Sequence, residues 1–350
     1  MTTIKDVAER AGVAPSTVSY VLNGSRSISA ETRERVRRAV DELGYHPRAS
    51  ARTLRSTRTD VLALALPRTD GGQRAVDGRF AIDVSDAARR LGYDLLLTTA
   101  EEKAEGLRRV ARSGLADAAV LMAVDMEDAR IEVVRELAFP AALLGRPADE
   151  DALPWTDLDW EAAASLAVRT LAAAGHHRIA YLAPTEREVL ARRSYALRGI
   201  AGARRGARET GAAVRVIRST GNPARLARKL RALLTGAEPP TALAVQHASA
   251  LPHILAAATA EGLRTADAPA MVVIGSLPDD PAARDLPRIE LPVETMAAEA
   301  TRLAVAAAEA LRAAEPDGGG DRLLAGAIGH LLIPPALLPG ARPLAPPRSP

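Results

Sequence analysis

Thr3-Ile4-Lys5-Asp6-Val7-Ala8-Glu9-Arg10-Ala11-Gly12-Val13 is followed, after Ala14, by Pro15-Ser16-Thr17-Val18-Ser19-Tyr20-Val21-Leu22-Asn23-Gly24. In the first stretch the apolar positions 4, 7, 8 and 11 fall on one face of an amphipathic helix. Thr3 stands three residues before Asp6, which predicts a capping box, and Gly12 ends the helix. Val13-Ala14 leaves room only for a tight turn. Pro15 suits the first position of a second helix, where a missing N–H costs little. That helix places Val18, Val21 and Leu22 on one face and Ser16, Thr17 and Tyr20 on the other, and Asn23-Gly24 closes it. A third helix is expected from near Ser29, with Glu31 in its first turn; it buries Val36, Ala39, Val40 and Leu43 and stops at Gly44. Two short helices joined by a turn and braced by a third form a helix-turn-helix. The hydroxyls of Ser16 and Thr17 and the ring of Tyr20 then suit base edges in a major groove. Singly, each would pass as an exposed residue of a small bundle; together, in this frame, they point to DNA.

Charge agrees. Residues 1–60 hold 11 Lys and Arg against 7 Asp and Glu, leaving 35 basic and 36 acidic residues for the rest. The net charge of +3 therefore resides in the first sixth of the chain, as expected of a polyanion-binding head on a near-neutral body. Charge alone leaves a solvated basic N-terminus equally open. The 350 residues suffice for two to three domains. A hydrophobic content of 47% with 25% charged residues is that of a globular chain, and with only 3% aromatics the core must be aliphatic. Cysteine is absent, which excludes disulfides and thiolate chemistry. There is no membrane-length apolar run and no secretion signal, so a cytoplasmic protein is expected.

The quoted stretches, with Glu31-Thr32-Arg33-Glu34-Arg35-Val36 and Glu42-Leu43-Gly44-Tyr45, resemble the head of the lac/galactose repressor family over a long, gap-free span. Ala14 departs from the pattern, because the family often has a capping serine there; its loss costs about 1 kcal/mol. The resemblance implies a DNA-binding head over 1–46 that uses Lys5, Ser16, Thr17, Tyr20 and Asn23. Tyr20 occupies the position that varies with operator sequence.

His46-Pro47 breaks the chain. Arg48-Ala49-Ser50-Ala51-Arg52-Thr53-Leu54-Arg55 is too short for a stable isolated helix in water, and it would gain order on meeting phosphate or a second copy. One leucine among arginines has the composition of a minor-groove wedge, and a plain linker fits equally. The resemblance implies a hinge over 47–59, paired across a homodimer, with Arg48, Ala51, Arg52 and Arg55 at the DNA and Leu54 inserted at the operator centre.

From Val61 short apolar strands alternate with helices. Strands are expected at 61–66, 93–99, 118–124, 141–144, 178–183, 214–218, 241–246 and 271–275, and helices at 81–91, 101–112, 160–174, 222–234 and 248–261. Such alternation argues for parallel sheets covered by helices on both faces, in two α/β lobes with a ligand cleft at the strand ends. Leu91-Gly92-Tyr93, Ala174-Gly175-His176-His177, Val273-Ile274-Gly275 and Leu291-Pro292 resemble family landmarks. The fold class is thus a small all-α helix-turn-helix head plus a two-lobed, periplasmic-binding-protein-like α/β core over 60–340. Lobe one is expected to take 60–159 and 290–318, lobe two 160–289 and 319–340, with a Pro-rich tail at 341–350. No leucine heptads mark that tail, so a tetramer-forming segment is not expected.

By resemblance, the cleft would bind a small-molecule effector through Arg68, Asp70, Asp157, Trp160, Arg193, Gln246 and Ser276. Its pattern departs from that of sugar- and purine-responsive members. Gln246-His247 stands where the family has Asn-Asp, and Leu277 follows Gly275-Ser276 where an Asp is usual, which speaks against a simple sugar bound in the usual way. Trp155 and Trp160 either stack on a ligand or pack the hinge. No nucleotide-binding glycine pattern, zinc motif or nucleophile elbow occurs, so neither an enzyme nor a metal or other cofactor is expected. His176-His177 diverge on any regular element and read as a structural loop. The expected function is a homodimeric, ligand-responsive transcriptional repressor of a double-stranded, pseudo-palindromic operator, acting at the nucleoid without a membrane. Alternatives are a regulator with a ligand-blind core and, against the evidence of the head, a solute-binding protein.

Overall fold

The computed structural model describes residues 2–23, 28–44, 58–66, 74–99, 103–246, 248–260, 269–313, 329–341 and 344. The chain divides into two compact units, Met1–Thr59 and Asp60–Pro350. Among the described residues no helix is long and apolar enough to cross a membrane.

The first unit holds α1 (Ile4–Ala11), α2 (Pro15–Asn23) and α3 (Ala30–Leu43). Thr3 and Asp6 form the capping box, and Gly12 ends α1 in the left-handed region at φ 62°. Ser29 caps α3 through its side chain, and Gly44 closes it at φ 56°. Val7, Val18 and Val36 are fully enclosed where the helices meet, with Ala8, Ala11 and Ala39 around them. Val40 and Leu43, expected in this core, are only partly buried at its edge. An Arg10–Glu42 ion pair at 2.5 Å joins α1 to α3.

The second unit contains two six-stranded sheets. In chain order its elements are β1 (Val61–Leu66), α4 (Arg74–Arg90), β2 (Asp94–Thr99), α5 (Lys103–Ser113), β3 (Ala118–Met122), α6 (Ala129–Leu137), β4 (Ala141–Leu144), β5 (Trp155–Leu158), α7 (Trp160–Ala173), β6 (Arg178–Thr185), α8 (Glu186–Leu190), α9 (Ser194–Thr210), β7 (Ala213–Ser219), α10 (Pro223–Leu234), β8 (Ala242–Val245), α11 (Leu251–Ala260), β9 (Ala270–Ser276), β10 (Arg288–Glu290), α12 (Val293–Ala313), β11 (His330–Ile333) and β12 (Leu337–Leu338). The first sheet runs β11-β5-β4-β3-β1-β2 with every pair parallel. The second runs β12-β10-β9-β8-β6-β7, parallel except for β10–β12.

Successive strand residues face opposite sides, so each sheet feeds two cores. Leu62 and Leu64 join one large cluster with Ile274, Val168 and Leu303, whereas Ala63 joins the cluster on the other face of the first sheet with Leu107 and Val134. Helices α4 and α12 pack together, α5 packs on α6, α7 on α9 and α10 on α11. The α7–α9 contact is close because glycine lines it: a Cβ on Gly202 would lie 2.1 Å from the Glu161 carbonyl oxygen.

One boundary is corrected. The stretch 319–340 was assigned to lobe two, yet His330–Ile333 pairs with Trp155–Leu158 in the first sheet, and only Leu337–Leu338 joins the second. The chain passes between lobes at Leu158–Trp160, between Glu290 and Val293, and at 334–336. Pro334-Pro335 forms this last crossing, because proline cannot donate to a ladder and sits where a strand ends. The Asp159 N–H donates to the Ile333 carbonyl at 2.9 Å, tying the first crossing to the third.

Candidate nucleic-acid interface and effector cleft

In the first unit, α1 and α3 fix α2 by burying Val18, and this turns the opposite face of α2 outward. Ser16 is exposed, and Thr17 and Tyr20 are half-buried on that face. The exposed Lys5 lies on α1, and α3 presents Arg33, Arg35, Arg37 and Arg38 to solvent. The Thr3 backbone N–H donates to Asp6 at 2.7 Å and holds that carboxyl below its ordinary range. Asn23 is the last residue of α2. Arg48, Ala51, Arg52, Leu54 and Arg55 of the hinge lie outside the described residues, as do Arg68 and Asp70.

In the second unit a cavity of about 1160 Å³ opens between the lobes, the size of a small-molecule site. Asp157, Trp160, Arg193 and Gln246 all line it; Ser276 does not, although its neighbours Gly275 and Leu277 do. Ser276 Oγ is fully enclosed and has no hydrogen-bond partner among the described residues.

Trp160 sits at the first crossing and brings the edge of its indole against Gly275 of lobe two. A Cβ there would lie 2.6 Å from the indole, and φ at Gly275 is +73°. The indole N–H donates to Asp157 Oδ1 at 2.9 Å, and the Arg146 N–H donates to Oδ2 at 3.0 Å. Burial outweighs these bonds and pushes the Asp157 carboxyl up to about 6. Gln246 is bonded at both ends of its amide: Tyr181 donates to its Oε1 at 2.6 Å, and its Nε2 donates to the Tyr195 carbonyl at 2.9 Å. Arg193 donates to the Ala123 carbonyl at 3.0 Å and pairs with Asp125, joining lobe two to lobe one. Arg192 adds bonds of 2.7 and 3.0 Å to Glu127 beside it. Trp155 does not reach the cavity wall; it stacks on His330 at 4.9 Å, so of the two tryptophans only Trp160 faces the cleft.

Phe80, Tyr195, Asp77 and Glu188 escaped the sequence reading and also line the cleft. Their signal was weak. Phe80 is one of only two phenylalanines in the chain, and Tyr195 follows an arginine run that reads as loop. The Tyr195 ring lies 5.7 Å from Trp160, and its hydroxyl donates to Glu188. His176, fully buried, bonds to Thr241 at 3.1 Å, in keeping with a structural loop. Among the described residues no group of three His, Asp or Glu side chains is placed to hold a metal ion.

Residues 3–48 match the family model described as bacterial regulatory proteins, lacI family, and residues 168–318 match a periplasmic binding protein-like domain. A curated relative, the HTH-type transcriptional regulator MalR of Streptococcus pneumoniae, is 35% identical over 149 residues, covering 41% of this chain and 45% of the relative. In such matches the chain spans about half the length of the curated relatives. Among solved structures, a lac repressor dimer bound to operator and the anti-inducer ONPF superposes with a TM-score of 0.78 at 21% identity, covering 97% of this chain and 98% of that one. The transcriptional regulator CelR in complex with cellobiose gives 0.66 at 24% identity, with the same coverage. These likenesses show the fold.

A helix-turn-helix head and a two-lobed α/β core around a ligand-sized cleft are the parts that the chain shares in fold with these structures. Residues 3–48 thus carry a head similar to the lacI family of bacterial regulatory proteins, and residues 168–318 a periplasmic binding protein-like domain.

Proposed function

We propose that the protein is a sequence-specific transcriptional repressor, working as a homodimer on a pseudo-palindromic operator and tuned by a small molecule in the core cleft. The observation that carries this is the frame of α2: Val18 is locked inward by α1 and α3 while Ser16, Thr17 and Tyr20 face outward. A short helix so held presents side chains of major-groove reach. Lys5 and the arginines of α3 neutralise phosphates, which fixes register without reading sequence. The relative crystallised as a dimer on operator has this architecture, which supports two heads on two half-sites.

In this reading Leu54 wedges the central minor groove, flanked by Arg48, Arg52 and Arg55, with Ala51 against the duplex. An effector that shifts the lobes changes the spacing of the paired hinges, so effector and operator affinities are coupled reciprocally. Contacts such as Arg192–Glu127 and Arg193–Asp125 cross between the lobes and would be remade in such a shift. The test of the wedge is Leu54→Ala in the full chain, read by DNA bend angle and operator affinity. A smaller bend and weaker binding are expected; an unchanged bend at unchanged affinity removes Leu54 from the mechanism.

A further inference from the structure

The second unit is near neutral only in sum. Residues 192–231 hold 12 Lys and Arg against a single carboxylate, Glu209, which leaves 23 basic and 35 acidic residues for the rest of 61–350. This run builds α9, β7 and α10 at one edge of lobe two, because β7 is the last strand of the second sheet. Val214 and Val216 of β7 join the cluster that holds Ile200 and Ala203 of α9, while Ile217 joins the one that holds Leu226 and Leu230 of α10. The two helices therefore flank the edge strand on its opposite faces.

Part of this charge is neutralised within the protein. Arg192, Arg193 and Arg198 pair with Glu127, Asp125 and Glu150 of lobe one, and Arg205 pairs with Glu161. Glu209 is turned to α7, where it accepts from Ser165 at 3.2 Å. Six arginines stay uncompensated: Arg204 and Arg208 on α9, Arg215 and Arg218 on β7, and Arg225 and Arg228 on α10 are exposed, and none has an ion pair among the described residues. Arg204 and Arg208 stand four apart and Arg225 and Arg228 three apart, so like charges are neighbours on each helix, which costs stability until an anion lies over them.

Two polyanions suit such a surface: an acidic polypeptide added to the sheet as a further strand, and a nucleic-acid duplex. Strand addition needs open backbone groups along β7. The Arg218 carbonyl is already taken by Lys229 Nζ at 2.7 Å, and two arginines stand on the strand itself, features that blunt an edge against a further strand. A duplex asks only for cations spread over a broad face, each meeting a phosphate. Here they run from the helix on one face of the sheet, across its edge, to the helix on the other.

We propose that the α9–β7–α10 edge of lobe two is a second duplex-binding surface, which takes the phosphates of DNA without regard to sequence and without atoms of the head. It adds affinity for any duplex and leaves the choice of motif to α2. The preference for duplex over acidic polypeptide rests on the repressor reading, under which the same chain already holds DNA at high local concentration.

The test uses the full chain with its head unaltered and a duplex of random sequence, with binding followed by fluorescence anisotropy over a range of salt. Arg204→Gln with Arg208→Gln, and Arg225→Gln with Arg228→Gln, are made as two double variants and then combined. The combined variant is expected to bind at least about tenfold more weakly at low salt. Its slope of log affinity against log salt should fall by about 2–4, close to one for each phosphate contact removed. Each double variant should give about half of that change, which keeps the test open if the combined one unfolds. A control with Arg89→Gln, Arg90→Gln, Arg109→Gln and Arg112→Gln removes the same charge from exposed sites on α4 and α5 and should keep the parent's slope. Parent-like curves from the patch variants overturn the proposal, and so does an equal loss in the control, which would make net charge the cause. Poly-L-glutamate is the second probe: if its binding falls in the patch variants while duplex binding does not, the surface takes acidic polypeptide and the proposal is again overturned. Motif selection by the parent is scored separately, so its absence defeats the repressor reading, whereas unchanged slopes beside intact selection defeat only this inference.

Discussion

Tyr20 is the side chain of α2 with the largest reach on its outer face, and its role is separable from phosphate contact. Tyr20→Ala is expected to change base preference at one or two positions of each half-site while nonspecific affinity and its salt dependence stay near the parent's. A selected-site logo identical to the parent's would remove Tyr20 from base reading. Asp157 carries a different consequence. Its unfolded carboxyl titrates near 3.8 and its buried one near 6, so between these values the folded state holds a proton that the unfolded chain has released. The contribution of Asp157 to stability is therefore fully present below about pH 4 and lost as pH rises through 6, by about 3 kcal/mol at most. Glu127 and Glu299, held below their usual range by Arg192 and Arg302, act with the opposite sign, so the difference between parent and variant isolates Asp157. Denaturant unfolding of Asp157→Asn across this window should lack the parent's decline; equal slopes would show that burial at this position does not govern its titration. Asp157 was legible as a cleft residue, but its engagement by Trp160 and Arg146 was not, because those partners meet it only in the folded crossing.

Elements were legible in proportion to how much of their neighbourhood the local pattern carries. The capping box of α1, the glycine stops of α1 and α3 and the run Val61–Leu66 are local and stand where the pattern placed them. Strand β5 does not read as one: Trp155-Thr156-Asp157-Leu158 is short and carries a carboxylate, yet all four residues are buried between β4 and β11. Helix α9 is obscured by Gly199, Gly202 and Gly206, each costing about 1 kcal/mol of helix propensity relative to alanine and repaid by close approach to α7 and to Gln246. Strands β11 and β12 flank Pro334-Pro335, and the prolines mimic a tail. The same logic makes Gly275 a fixed point of the cleft. Gly275→Ala places a Cβ 2.6 Å from the Trp160 ring on a backbone at φ +73°, which should lower stability by about 1–3 kcal/mol and alter tryptophan emission. A variant as stable as the parent, with unchanged emission, would mean that Trp160 does not pack on this glycine.

At the scale of the molecule the sequence divides its labour. The net positive charge and the outward hydroxyls lie in the first unit, while the second is near neutral and encloses a cleft. Specific recognition of a duplex should therefore reside in residues 1–59 and be absent from 60–350, even though the latter hold most of the mass and most of the basic residues. The most direct measurement is selection from a random double-stranded DNA pool by the full chain and, in parallel, by the chain without residues 1–59. A two-fold symmetric motif is expected from the full chain and none from the shortened one, whose thermal unfolding transition should persist. Recovery of the same motif by the shortened chain, or of no motif by the full one, would contradict a DNA-reading head on a ligand-sensing core.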